Sequence, residues 1–237
     1  MQKRTIHTVV FLGAVLLILA GLTVGRAAPS RAQPAQTDVT LFAVADATVK
    51  SWQPATNFGS SGSLDLSYNA IDGVQEAVFL VRFDLASLPA DAVIDAANLQ
   101  LYLSAASGAT PVQVAVSFVT GGWAENTVTW NSFPTADPVA LQAAVDSTVA
   151  SFKTWDITSF ATAWHSNPAQ NYGVFLRGPS AVFARTFQSR EGGSYAPQLA
   201  IAYHVPTATP TATNTPGNTP TNTPSHTPTN TPAATHS

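Results

Sequence analysis

The chain has 237 residues, of which 45% are hydrophobic and 10% charged, and it contains no cysteine. Without thiols it can have neither a disulfide framework nor a lipid-modified cysteine, so stability must come from an apolar core, which a chain of this length can build. The formal net charge of −3 hides an asymmetry: all thirteen acidic residues lie between Asp38 and Glu191 against six basic ones, a net −7, which argues against nucleic-acid binding by backbone electrostatics and leaves room for calcium.

Lys3 and Arg4 precede an apolar run from Val9 to Val24, followed by small residues. This is the layout of a secretory signal, and the run is shorter than the 20 or so apolar residues of a membrane span. Residues 1–32 are therefore expected to be a signal peptide cut after Ala32, with Ala27 as a second position and an uncleaved N-terminal anchor as the alternative. Residues 33–37 read as a short linker and residues 38–205 as one folded domain.

Within that domain the hydrophobic pattern has period two. Leu99, Leu101 and Leu103 alternate with Gln100 and Tyr102, and Val112, Val114, Val116 and Phe118 alternate with Gln113, Ala115 and Ser117, as in half-buried strands. Further strands are expected at 41–45, 63–68, 77–83, 152–155, 173–177, 182–188 and 198–203, separated by Gly, Pro, Asn and Asp clusters. The fold class is therefore all-β, a jelly-roll-like sandwich of two antiparallel sheets. One helix interrupts it, capped by Asp156, with Ile157, Phe160, Ala161 and Trp164 on one face and Asn167-Pro168 at its end.

Two hexapeptides echo each other, Pro54-Ala55-Thr56-Asn57-Phe58-Gly59 and Pro168-Ala169-Gln170-Asn171-Tyr172-Gly173. Each precedes a strand, so Asn and Gly are read as turn residues and the aromatic as a packing group. Trp123-Ala124-Glu125, followed by Val128-Thr129-Trp130-Asn131 and Pro134, fits either a packed corner around a bonded carboxylate or an exposed shelf for a sugar ring. Residues 206–237 are rich in Thr and Pro, with proline at 216, 220, 224, 228 and 232. That composition gives a disordered spacer or stalk and implies an exported protein, secreted or on the cell surface. Membrane contact would come only through an uncleaved N-terminal segment.

From Asp46 to Tyr203 the chain resembles the DNRLRE-domain family, which overlaps carbohydrate-binding module family 96. The resemblance rests on Asp46-Ala47-Thr48-Val49, Asn57-Phe58-Gly59, Arg82-Phe83-Asp84-Leu85 with Leu88-Pro89, and Ala96-Ala97-Asn98-Leu99-Gln100-Leu101-Tyr102. It continues through the Trp123 to Pro134 passage, Trp155-Asp156-Ile157-Thr158, Asn171-Tyr172-Gly173, Phe187-Gln188-Ser189-Arg190-Glu191 and Pro197-Gln198-Leu199. It implies a non-catalytic β-sandwich that binds extracellular polysaccharide, alginate-like acidic polymers among the ligands. The alternative is a structural or adhesive surface domain displayed on the stalk. Such domains often carry a structural ion, for which Asp46, Asp65, Asp84 and Asp156 are the calcium candidates, although no EF-hand loop exists.

An acidic sugar calls for guanidinium groups, which engage carboxylates in a two-pronged way. Arg177, Arg185 and Arg190, with Tyr172 and Trp52, are therefore the expected binding face, Arg185 lying between Phe183 and Phe187 on one side of a strand. Material for catalysis is scarce. His165 is the one histidine well inside the domain, Gly59-Ser60-Ser61-Gly62-Ser63 misses the nucleophile-elbow pattern at its last place, and a Glu125–Glu191 carboxylate pair has no support from spacing.

Overall fold

The computed structural model describes residues 35–207 except Asp72. The expected signal segment 1–32 and nearly all of the 206–237 tail lie outside the described residues. In chain order the elements are β1 (Gln36–Lys50), β2 (Ser63–Asn69), β3 (Gln75–Phe83), β4 (Val93–Gly108), β5 (Val112–Val119), β6 (Ala136–Val145), β7 (Ser151–Asp156), α1 (Thr158–Ser166), β8 (Val174–Arg177), β9 (Phe183–Gln188) and β10 (Gln198–His204). No described helix is long and apolar enough to cross a membrane.

All-β is the observed class, but the two-sheet sandwich is replaced by a closed ring. Six antiparallel strands run β1–β10–β4–β9–β2–β3 and return to β1. The cause lies in two long strands that change partner halfway. β1 pairs β10 through Phe42 and β3 from Ala43, with a register shift between Ala43 and Ala45. β4 pairs β10 through Gln100 and β9 from Leu103, with a shift between Leu103 and Ala105. A bulge bends and twists its strand, so each of these strands turns the corner that a sandwich would leave open. β7 pairs β4, while β8, β5 and β6 extend from β3 as a side sheet.

Alternation along the strands fills the ring. Leu99, Leu101 and Leu103 of β4, Phe79, Val81 and Phe83 of β3, Leu64 and Leu66 of β2, and Phe183 and Phe187 of β9 are buried in one cluster. The opposite face of β3 is covered as well. Val78 and Leu80 join Ala47, Val49, Val119, Val128 and Phe175 in a second cluster, against which Trp123, Trp130, Phe133 and Tyr172 pack. Burial on both faces explains why residues 77–81 of β3 form an unbroken apolar run.

The helix forms where expected, with Ile157, Phe160, Ala161 and Trp164 buried. Asp156 does its capping one place early: its Oδ1 accepts from the Thr158 amide at 2.9 Å and hydroxyl at 2.6 Å. These bonds hold its carboxyl below the usual range and make it a helix-start residue. The sequence reading missed β6 altogether. No strand is expected over 136–145, yet β6 is the last strand of the side sheet, and an edge strand tolerates Pro138, which has no N–H.

Candidate functional site

The expected arginine face does not assemble, because each guanidinium is already engaged within the protein. Arg185 is fully buried, and its fork donates to the carbonyls of Asp146, Ser107, Ala184 and Ala109 at 3.1, 2.9, 2.8 and 2.7 Å. Arg177 makes a two-pronged pair with Glu76, Nε to Oε1 at 2.6 Å and Nη2 to Oε2 at 2.7 Å. Arg190 donates to Glu125 Oε2 at 2.5 Å and lies 3.2 Å from Glu191 Oε1. Tyr172 packs against the second cluster, its carbonyl accepting from the Trp123 indole at 2.8 Å. Trp52 is exposed, with the Lys50 ammonium 5.8 Å from its ring and 4.5 Å from that of Phe58. The passage from Trp123 to Pro134 is the packed corner of its two readings, since Trp123 and Trp130 are both half-buried on the second cluster.

Several segments that carry the resemblance meet in one polar knot. Glu125 Oε1 accepts from the Asp46 amide at 2.8 Å, and Asp46 Oδ2 accepts from the Arg190 amide at 2.8 Å. Asn57 Nδ2 donates to the carbonyls of Glu125 and Val128 at 2.8 and 2.7 Å. A Cβ added to Gly59 would lie 2.0 Å from the Glu125 carbonyl oxygen, so glycine is there for close approach rather than for left-handed geometry. Gly59→Ala is expected to cost about 3 kcal/mol and roughly 6–12 °C in Tm. Thermal denaturation checks this against Gly62→Ala, whose added Cβ meets nothing nearer than Gly192 Cα at 3.9 Å. The second hexapeptide repeats the device. Asn171 Nδ2 donates to the Phe83 carbonyl at 2.8 Å, and Gly173, at φ +85°, faces the Val81 carbonyl.

Carboxylate oxygens of Asp46, Glu125 and Glu191 lie within 4.8 Å of one another, and burial pushes the Asp46 carboxyl up to about 7, with Glu191 and Glu125 adding repulsion. Of the four calcium candidates only Asp46 belongs to this group. Asp65 pairs with Lys50, Asp84 accepts from the Ala86 amide and Asp156 caps the helix. Calcium wants six to eight oxygens. Here Arg190 supplies the countercharge, and of the six carboxylate oxygens three already accept hydrogen bonds and a fourth lies against the Arg190 guanidinium, so the set does not fit a calcium cage. The knot also unites Glu125 with Glu191, a pairing unsupported by spacing, but as a strut around Arg190 rather than two carboxyl groups flanking a substrate.

A different surface has the form of a ligand shelf. On the outer faces of four neighbouring strands, Phe42 of β1 stands opposite Gln198 of β10, Gln198 opposite Gln100 of β4, and Gln100 opposite Thr154 of β7. The row spans roughly 14 Å at the usual strand spacing. Among the described residues the side chains of Gln198, Gln100 and Thr154 have no hydrogen-bond partner. Phe42, 57% exposed, closes one end. Beside the other end Tyr102 stacks on Tyr195 at 4.0 Å and meets Phe152 edge-on at 5.3 Å. Strand alternation marks Gln100 and Gln198 as outward residues, but only the cross-strand register brings them into line.

Residues 37–203 match the sequence profile of carbohydrate-binding module family 96. No curated protein matches the chain. With some two thirds of its length covered by that profile, the chain belongs to carbohydrate-binding module family 96.

Proposed function

We propose that this domain is an exported, non-catalytic module that binds an extracellular polysaccharide along the Phe42–Gln198–Gln100–Thr154 row. The observation that carries the reading is a line of unpartnered amide and hydroxyl groups on three neighbouring strands, with Phe42 at one end and an aromatic cluster beside the other. Amides donate and accept, as sugar hydroxyls do, and aromatic faces match the C–H faces of pyranose rings. The row carries no arginine or lysine, so it favours a neutral stretch of chain over an alginate-like one. Export rests on the signal-like N-terminal segment and the Thr/Pro tail.

Affinity electrophoresis of the protein in gels containing neutral or acidic polysaccharides tests this. Retardation is expected in a neutral gel, and the double variant Gln100→Ala, Gln198→Ala is expected to weaken it about tenfold or more, as loss of two net hydrogen bonds implies. If the double variant runs as the parent does, the row is not the site. If no gel retards a folded protein, the stalk-borne adhesive or structural domain takes its place.

A further inference from the structure

We infer a second site, separate from the outer row, that takes a single pyranose ring through its hydroxyl groups. A cavity of about 540 Å³ lies where α1 and the segment after it approach the end of β3, and its lining includes Arg82, Phe83, Leu85, Trp164, His165 and Asn171. Among the described residues, three buried side-chain atoms have no hydrogen-bond partner: Trp164 Nε1, His165 Nε2 and Asn171 Oδ1. All three belong to residues lining this one cavity. Buried polar atoms without partners are rare in folded proteins, and each calls for a group to satisfy it. The three atoms have almost no accessible surface, so a polar occupant of the cavity meets them as the lining side chains turn toward it.

Their chemistry narrows the occupant. The Trp164 indole can only donate, Asn171 Oδ1 can only accept, and His165 Nε2 does either according to tautomer. Hydroxyl groups do both, so neighbouring hydroxyls on one ring can meet all three. Phe83, Leu85, Leu88 and Trp164 supply the apolar wall that a sugar's C–H face needs. Arg82 and Asp84 also line the cavity. Arg82 has no carboxylate partner among the described residues and lies 5.5 Å over the Trp123 ring. Asp84 uses Oδ1 on the Ala86 amide. With one cation and one anion in the lining, a neutral sugar suits better than a charged one. The size matches small-ligand pockets, and the ring can be a free sugar or the end residue of a chain.

Nitrogen-15 NMR of the protein tests the site. Its five tryptophans give five indole signals, and that of Trp164 is identified by its loss in Trp164→Phe. Titration with the methyl glycosides of glucose, galactose and mannose, and with a neutral oligosaccharide, is expected to move the Trp164 signal saturably with at least one of them. Arg82→Gln should weaken that ligand about tenfold, while the indole signals of Trp52, Trp130 and Trp155 report an intact fold and that of Trp123, whose ring Arg82 overlies, moves with the substitution itself. A shift with the oligosaccharide alone identifies a chain end, and one with a monosaccharide identifies a free ring. Gln100→Ala, Gln198→Ala should leave this titration unchanged, which separates the site from the outer row. A Trp164 signal unmoved by every probe, or equally moved in Arg82→Gln, overturns the proposal and leaves ordered water as the occupant.

Discussion

Arg185→Met is expected to destabilise the domain by about 3–5 kcal/mol, the usual cost of removing one member of a buried, fully engaged polar set. The guanidinium reaches the carbonyls of Ser107 at the end of β4, Ala109 just beyond it, Asp146 after β6 and Ala184 in its own strand. Truncation strands four acceptors in the interior at once, and lysine, a point donor, could not replace the fork. Burial lowers the Arg185 pKa, with the Asp146 charge opposing the shift; guanidinium remains cationic regardless. Urea unfolding should show a midpoint shift with an unchanged slope. Arg190→Gln, which removes partly exposed ion pairs with Glu125 and Glu191, should cost about 2 kcal/mol or less, at about 1 kcal/mol or less for each pair. If Arg185→Met unfolds at the parent midpoint, the four carbonyls are satisfied in some other way. Below its melting temperature this variant should still bind glycan, because Arg185 is a strut and not a ligand contact.

Arg185 also marks the limit of what periodicity conveys. Alternation correctly placed Phe183, Arg185 and Phe187 on one face of β9, but it does not tell which face is inside. The two phenylalanines are 3% and 0% exposed, so their neighbour is buried with them, and an arginine between aromatics was read as a binding patch when it is a core crosslink. The outward positions of β4 were legible for the same reason that the inward leucines were. The row Phe42–Gln198–Gln100–Thr154 was not, because its members lie far apart in sequence and only register aligns them. The closed ring escaped for a related cause. Bulges at Ala43–Ala45 and Leu103–Ala105 leave the alternation of their flanks intact, and β4 runs to Gly108 through an Ala/Ser-rich stretch with little apolar signal. Asn57 and Asn171 were legible as repeated structural residues, but what they do is hold distant carbonyls with their amides.

Lowering the pH from 8 to 5 is expected to stabilise the domain by about 3 kcal/mol through Asp46, raising Tm by roughly 6–12 °C. Asp46 is 1% exposed, and its carboxyl is pushed up to about 7, chiefly by loss of solvent; the Arg190 amide and guanidinium oppose the shift, and Glu191 and Glu125 add to it. A carboxyl whose folded pKa lies above its unfolded value near 4 binds its proton more tightly when folded. The resulting stability is full below about 4 and is lost as pH rises through 7, a total of about 4 kcal/mol at 1.36 kcal/mol per pKa unit. Asp146 and Asp156 act in the opposite sense, since hydrogen bonds lower their pKa values, and their contribution disappears only in stronger acid. Between pH 5 and 8 the Asp46 slope therefore dominates. Asp46→Asn keeps an acceptor for the Arg190 amide and removes the titration, so its Tm should vary little over this range and exceed the parent's at pH 8. A chelator should leave both curves in place, because Arg190 already provides the countercharge. If calcium instead raises the parent Tm at pH 8 and leaves that of Asp46→Asn unchanged, the guanidinium yields its place to the ion and the three carboxylates form a metal site.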